Sequence, residues 1–374
     1  MTTQHALDAV RRCAGELDVR GVLEAARPHG SGHIHDSYVL TFRQGRKQQR
    51  LLLQHLNQGV FADLDAVMTN LQRVTEQLRA QLVHAGAEAV ERSVLRIVPT
   101  RQGNAYLRAE AGACYRAFHF IEDSLAVDQA GSESDAFEAG RAFAGFQAAL
   151  LELPSPALAV TIPGFHDTAA RLAALRAAVR ADSLGRAAQL QRELAFVEAR
   201  AALASLLSDA RAAGELTERT AHNDAKLSNV LLDARSRRAL CVVDLDTVMP
   251  GLWLHDFGDL VRVLSCSGRE DEPDPERIVL RHSYFEALAR GYVSGVGPQL
   301  SPGDWELLPS AGKIITFELA LRFLTDHLCG DHYFKVARPG HNLERARAQL
   351  RVVQVLERGE DELRATVAAL RARL

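Results

Sequence analysis

Cysteine is sparse in this chain: Cys13, Cys114, Cys241, Cys266 and Cys329 are the only five in 374 residues, and no two sit at a paired spacing. That scatter excludes a zinc ribbon or a dithiol redox motif. An odd count without a signal peptide leads us to expect reduced thiols in a cytoplasm. No apolar run approaches the length of a membrane span. Neither sign of charge dominates, with 44 Lys and Arg against 47 Asp and Glu. The net charge of -3 leaves no footprint for nucleic acid or an anionic membrane. There is no internal repeat and no low-complexity tract, despite frequent Ala-Leu-Arg runs. What remains is the composition of an ordinary globular protein, 47% hydrophobic and 24% charged, long enough for two lobes with separate cores.

Hydrophobic periodicity divides the chain into a strand-rich first part and a helix-rich second part. Ser37–Phe42 reads as a short strand, followed by a polar turn at Gly45 and a second strand over Arg50–Leu56. Between Asp63 and His84 the apolar residues Leu64, Val67, Met68, Leu71, Val74, Leu78 and Leu82 recur at helical spacing, with Gly86 as the stop. Val94–Pro99 and Ala105–Arg108 flank Gly103-Asn104 as a hairpin. Cys114–Ile121 is the next strand, running into a connector near Glu122-Asp123. Strand, strand, helix, strand, strand is the order of a kinase N-lobe. We expect an α+β, protein-kinase-like two-lobed fold, with a small β-rich N-lobe over residues 1–121 and a large helical C-lobe over 122–374. Helices are expected at Asp135–Leu151, Arg186–Ala213, Glu276–Tyr292, Ser310–Leu328 and Glu344–Arg373, with a polar loop over 266–276.

The second part carries the most telling stretch. His222-Asn223-Asp224-Ala225-Lys226-Leu227-Ser228-Asn229-Val230 is followed by Cys241-Val242-Val243-Asp244-Leu245-Asp246. An Asp, a Lys two positions on, an Asn five positions on and a further Asp on the next hairpin form the spacing of a phosphoryl-transfer loop. The chemistry explains the residue types, because phosphoryl transfer is mostly positioning and charge neutralisation. Asp224 would orient an acceptor hydroxyl and take its proton. Lys226 would meet the γ-phosphate as a point charge. Asn229 and Asp244 offer the hard oxygen ligands magnesium prefers. Asp246, on the same face as Asp244 in a regular strand, would be a further ligand or an acceptor behind it. His222 is read as a buried brace of the loop that does no chemistry.

Several stretches resemble the aminoglycoside-phosphotransferase-like kinases, and within them the N-acetylhexosamine 1-kinase branch. They are Gly30-Ser31-Gly32-His33-Ile34-His35-Asp36-Ser37-Tyr38, Leu53-Gln54-His55-Leu56-Asn57 with Val60-Phe61, and Ile162-Pro163-Gly164-Phe165-His166-Asp167-Thr168. Asp244–Gly251, Asp256-Phe257-Gly258-Asp259, Leu321–Asp326 and Gly330–Phe334 complete the set. The resemblance implies ATP with Mg2+, the nucleotide between the lobes, and a sugar held on the C-lobe. It carries over Asp224 as base, Asn229 and Asp244 as magnesium ligands, and Arg322 and Tyr333 as sugar contacts. Arg322 has an alternative as an ion pair with Asp326 one helical turn on. His33 and Asp36 are candidates to reach the substrate from the N-lobe loop, with a plain turn as the alternative for Asp36. Gly30 and Gly32 would let backbone amides approach phosphate. His166-Asp167 is read as an anchor at a helix start.

One departure stands out. The strand that carries a phosphate-contacting Lys in kinases reads Leu51-Leu52-Leu53-Gln54-His55, with Gln54 as the available contact and no cation. Glu76, read on the inner flank of the Asp63–His84 helix, then lacks its partner. The expected activity is ATP-dependent phosphorylation of the anomeric hydroxyl of a free sugar, an N-acetylhexosamine first. That hydroxyl is acidic enough for a carboxylate of ordinary pKa to serve as base. Three alternatives stay open. One is a kinase for another hydroxylated acceptor such as an aminoglycoside, for which Asp326, Asp331 and the acidic loop Glu270–Asp274 could form an acidic pocket. Another is a nucleotide-binding pseudokinase. The third is a helical scaffold that uses the C-lobe as an interaction surface and binds neither ATP nor sugar.

Overall fold

The computed structural model describes residues 3–30, 34–109, 112–153 and 157–374. It divides into two compact units, Met1–Ser124 and Leu125–Leu374. The smaller unit is built on an antiparallel sheet in which Val22–Pro28, Asp36–Gln44, Lys47–His55, Cys114–His119 and Ile97–Val98 lie in that order. Strand alternation sends Leu40, Phe42, Leu51, Leu53, Tyr115 and Ala117 to one face, where Val10, Cys13 and Ala14 of the helix Thr3–Gly15 cover them. Gln54 and Arg116 belong to the opposite face. The helix Leu64–His84 starts where Asp63 accepts the Ala66 amide at 2.9 Å and ends before Gly86, whose φ is +67°.

Three expectations change here. Ile97–Val98 and Leu107–Arg108 do not form a hairpin with each other; both pair with Cys114–His119, which supplies the partner backbone for each. Val22–Pro28 is a strand that periodicity missed, because its Ala, Glu and Arg favour helix and its pairing to Asp36–Gln44 is a tertiary matter. Glu76 points to solvent, since Leu71, Val74 and Thr75 form the buried stripe beside it.

The larger unit is organised around the helix Pro302–Cys329. It begins eight residues before the expected Ser310, since Ser301 and Asp304 form a reciprocal capping box and Pro302 sits in the first turn. Phe317, Ala320, Leu321, Phe323, Leu324 and Leu328 place it inside one of the cores. Beside it run Trp253–Leu264 and His341–Arg358, and Glu133–Ala149 packs on His282–Val296. That second pair touches so closely that a Cβ on Gly291 would lie 2.2 Å from the Phe137 carbonyl oxygen. The expected Arg186–Ala213 helix is instead four short pieces, and Glu344–Arg373 is two helices that break at Gly359. Among the described residues no helix is long and apolar enough to cross a membrane.

Candidate active site

The candidate catalytic loop is held on all sides by buried polar groups. Its flanks are the strand Arg219–Ala221, paired with Met249–Gly251, and the hairpin Val230–Asp233 with Ala239–Val242. Asn223 adopts a left-handed backbone (φ +64°), which brings two adjacent amides onto one carboxylate. Asp256 accepts from the backbone N–H of His222 at 2.9 Å and of Asn223 at 2.7 Å. Gln147 donates to Asp256 at 2.7 Å, and Tyr292 donates to Gln147 at 2.6 Å. The Asn223 side chain donates to the Thr247 carbonyl at 3.0 Å. His222 is fully buried, accepts from the Asp224 amide at 3.3 Å and donates to the Val243 carbonyl at 2.9 Å. It is a brace, as its sequence context indicated. Such satisfied buried networks fix a single loop geometry.

At the open end of this loop Lys226 Nζ donates to Asp224 Oδ2 at 2.8 Å. Asn229 Nδ2 donates to the Asp224 carbonyl at 2.9 Å and to its carboxylate at 3.2 Å. Burial pushes the Asp224 carboxyl up, but the charge and hydrogen bond of Lys226, with His222 and Asn229, overcome that and hold it at about 2. The ion pair with Lys226 makes Asp224 a stronger acid than a free aspartic acid. Burial pulls Lys226 down, and the neighbouring Asp224 and Asp244 more than reverse it.

Asp244 sits in a left-handed backbone (φ +61°, ψ +55°) just past the strand end at Val242. Leu245–Thr247 is a 3-10 turn, so Asp246 does not follow Asp244 by strand alternation as expected; the turn, not the pleat, brings it near. Burial raises the Asp244 pKa, and the like charges of Asp246 and Asp224 raise it further. Among the described residues no group of three His, Cys, Asp or Glu side chains could hold a metal ion. The candidate set is instead two carboxylates and the amide oxygen of Asn229, a hard oxygen set whose mutual repulsion a divalent cation would relieve. These residues fit magnesium.

Asp259, in the Asp256–Asp259 stretch, is a further charged neighbour of Lys226. Burial raises its pKa, Arg262 opposes this from a 2.7 Å hydrogen bond, and its charge is felt by both Asp224 and Lys226.

Arg322 and Tyr333 meet, with Arg322 Nη2 donating to the Tyr333 hydroxyl at 3.2 Å. The guanidinium carbon lies 5.7, 5.6 and 5.4 Å from the ring centres of Phe165, Tyr333 and Phe334. Tyr333 is 66% exposed. The alternative ion pair of Arg322 with Asp326 is not formed. Asp326 instead accepts the backbone amides of His332, Tyr333 and Phe334 at 2.8 to 2.9 Å and the Asn342 amide at 2.9 Å. It shapes the turn that presents Tyr333.

In the smaller unit, Gly30 has φ +71°, while Gly32 and His33 lie outside the described residues. Asp36 opens a strand rather than a turn, opposite His55, with the two side chains 3.8 Å apart. Gln54 is in register with Arg116 and accepts both its Nε (3.0 Å) and Nη2 (2.8 Å) through Oε1, while donating to Ser37 at 3.3 Å. Arg116, only 2% exposed, is thus a cation beside the position where the Lys is missing. The signal was an Arg inside the apolar strand Cys114–His119.

A loop joining a carboxylate, a lysine and an oxygen donor set, braced as described, is the candidate active site on this protein-kinase-like fold. The chain belongs to the phosphotransferase enzyme family, which it matches over residues 25–292. It is therefore a phosphotransferase enzyme. Among solved structures it is similar to an aminoglycoside phosphotransferase from Alicyclobacillus acidocaldarius subsp. acidocaldarius DSM 446. That match has 15% identity and a TM-score of 0.55, covering 97% of this chain and 95% of the other. The GDP complex of aminoglycoside 2'-phosphotransferase-IIIa matches at 11% identity and TM-score 0.52, covering 98% and 99%. The AMP-bound complex of a spectinomycin phosphotransferase matches at 9% identity and TM-score 0.54, covering 95% and 98%.

Proposed function

We propose that this enzyme transfers the γ-phosphoryl group of ATP to the anomeric hydroxyl of a free sugar, with an N-acetylhexosamine as the preferred acceptor. The observation that carries this reading is the pairing of Arg322 with Tyr333 among Phe165 and Phe334. A guanidinium fork beside an exposed aromatic face suits a neutral sugar, which needs hydrogen bonds at its hydroxyls and an apolar surface under its ring. A polycationic acceptor would need uncommitted carboxylates instead. Asp326 is engaged by backbone amides, and Asp331 by Arg186 and Asn342, both at 2.9 Å. In the acidic loop Glu270 faces Arg262 and Arg345, and Asp271 faces His341 and Arg338.

In this reading Asp224 orients the acceptor hydroxyl and receives its proton, and Lys226 meets the transferring phosphoryl group. Asn229, Asp244 and Asp246 would hold magnesium, which neutralises phosphate charge when bound. Gly30, Gly32 and Gln54 would contact the nucleotide, and His33 and Asp36 the acceptor. We assign nucleotide binding to a lobe over 1–121 and catalysis with acceptor binding to 122–374. The bound AMP and GDP of the similar structures support nucleotide use.

The test is nucleoside-diphosphate release with Mg-ATP against free sugars, amino sugars and aminoglycosides, with Asp224→Asn as the blank. Release with N-acetylglucosamine or N-acetylgalactosamine, absent in the variant, supports the full reading. Release only with another acceptor keeps the mechanism and removes the substrate. Silence across the panel, with ATP still raising the melting temperature, favours a nucleotide-binding pseudokinase.

A further inference from the structure

Behind the catalytic loop lies a buried pair that the phosphoryl-transfer motif does not account for. His166 Nδ1 is 2.9 Å from Glu318 Oε1, and His166 Nε2 is 2.9 Å from the backbone carbonyl oxygen of Asn223. Thr168 donates to the other Glu318 oxygen at 2.6 Å. With Glu318 ionised, its carboxylate and the Asn223 carbonyl only accept, so both bonds form together when both ring nitrogens carry hydrogen, that is, when His166 is an imidazolium. Asn223 is the residue before Asp224, and it is the one held in the strained left-handed backbone. The peptide whose carbonyl His166 grips ends in the Asp224 amide. Rotation of that peptide would swing the Asp224 side chain.

We propose that His166 and Glu318 form a positioning pair in which a protonated His166 clamps the Asn223 carbonyl and so aims Asp224 at the acceptor. The remaining groups around the ring agree with this. His255 lies 4.4 Å away, ring centre to ring centre, and its Nδ1 is buried without a hydrogen-bond partner. Burial and the nearby His166 charge pull His255 down to about 3, so it stays neutral and leaves the charge to His166. Asp259 adds a second negative charge from the same helix as His255. Burial pulls the His166 pKa down, but Glu318 and the Asn223 carbonyl overcome this and raise it. Phe165, the next residue back, meets the His166 ring edge-on at 4.8 Å and also faces Arg322. One turn of chain therefore joins the Arg322 and Tyr333 cluster to the backbone that carries Asp224. The role given to Asp224 rests on the phosphotransferase reading above; the protonation of His166 does not.

The experiment has two arms. Histidine 15N NMR on the wild-type protein, with His166→Gln to assign the signal, reads the charge state without any turnover. Signals of an imidazolium at residue 166 at pH 7 are expected, and a neutral ring at that pH overturns the proposal whatever the enzyme's acceptor. The second arm measures kcat against pH for Glu318→Gln and His166→Gln, on samples whose folding is checked by circular dichroism. Loss of the clamp should lower kcat roughly 10- to 100-fold with little change in KM for ATP. In Glu318→Gln the alkaline fall in kcat should move to lower pH, because His166 loses its carboxylate. A merely structural role would leave the pH profile of the folded fraction in place. Folded variants with wild-type kcat and profile would overturn the positioning role even with an imidazolium present. Where Glu318→Gln does not fold, Glu318→Asp takes its place; its shorter arm withdraws the carboxylate from the 2.9 Å contact, so a smaller shift of the alkaline limb in the same direction is expected.

Discussion

Lys226 Nζ donates to Asp224 Oδ2 across 2.8 Å, so the candidate base and the candidate phosphate-facing cation hold each other. The pair explains the strongly acidic Asp224 carboxyl, and it means that a phosphate drawing on Lys226 also acts on the base.

Asp224→Asn keeps the shape and the hydrogen bonds to Asn229 but removes the proton acceptor. Turnover should fall by about 10³-fold, within the range for loss of a general base. ATP affinity, measured by calorimetry, should stay within about threefold of wild type on the same grounds. Turnover retained with nucleotide affinity lost would remove Asp224 from the chemistry.

Asp244 calls for substitution by Asn rather than Ala, because its backbone is left-handed and Ala there adds roughly 1 kcal/mol of strain. Asp244→Asn removes one anionic oxygen ligand while keeping the turn. Magnesium-dependent ATP binding should weaken by about tenfold or more. Without magnesium the variant should be at least as stable as wild type, because Asp246 and Asp224 already oppose charge at this position. A nucleotide titration with unchanged magnesium dependence would exclude Asp244 as a ligand.

Much of this was legible in the sequence, and the reasons for success and failure differ. The Asp224, Lys226, Asn229 and Asp244 spacing is local and was legible as a pattern, whereas the buried bracing of the loop by Asp256, Gln147 and Tyr292 was not. The helix Leu64–His84 was legible because its apolar stripe and its Asp63 cap are both local signals. Arg116 beside Gln54 was not, because register between strands 62 residues apart is a tertiary outcome. Nor was the engagement of Asp326 by three backbone amides, which makes it a turn support and leaves the alternative ion pair with Arg322 unformed. His166 was quoted in a recurring stretch, but its partner Glu318 lies 152 residues away, and only the fold brings them together.

Arg322→Met and Tyr333→Phe test the acceptor surface. Each should raise KM for the sugar by roughly tenfold, the loss expected for a hydrogen bond of about 1.4 kcal/mol, and leave KM for ATP alone. The two effects should not add in the double variant, since the Arg322–Tyr333 hydrogen bond is shared. Steady-state kinetics of the four-member cycle would show this. Simple additivity, or a change confined to ATP, would argue against a joint sugar contact.

Gly258 tests how the loop's scaffold is packed. A Cβ there would sit 2.5 Å from the Ala311 carbonyl oxygen and 2.8 Å from its carbon, so Gly258→Ala must push Trp253–Leu264 away from Pro302–Cys329. Overpacking of this kind costs about 1–3 kcal/mol. Because Asp256 on the displaced helix holds the His222 and Asn223 amides, kcat should fall along with the melting temperature. A variant with normal stability would mean the two helices yield easily.

The His166–Glu318 pair also sets a pH dependence of stability whose sign can be worked out. Burial pushes the Glu318 carboxyl up, but the His166 charge and the hydrogen bonds from His166 and Thr168 reverse this and hold it at about 2, against an ordinary 4.5. A depressed carboxyl contributes stability that is fully present above about 4.5 and is lost as pH falls through about 2. His166 is shifted the other way, so its contribution is fully present below 6.5 and is lost as pH rises through its elevated pKa. Glu318→Gln removes both contributions. The difference in melting temperature between wild type and variant should be widest between about pH 4.5 and 6.5 and should narrow at both ends. Thermal melts from pH 2 to 9 on the two proteins would check this. A difference that stays constant across that range would mean that Glu318 acts through packing and neutral hydrogen bonds, and that His166 is not charged by it.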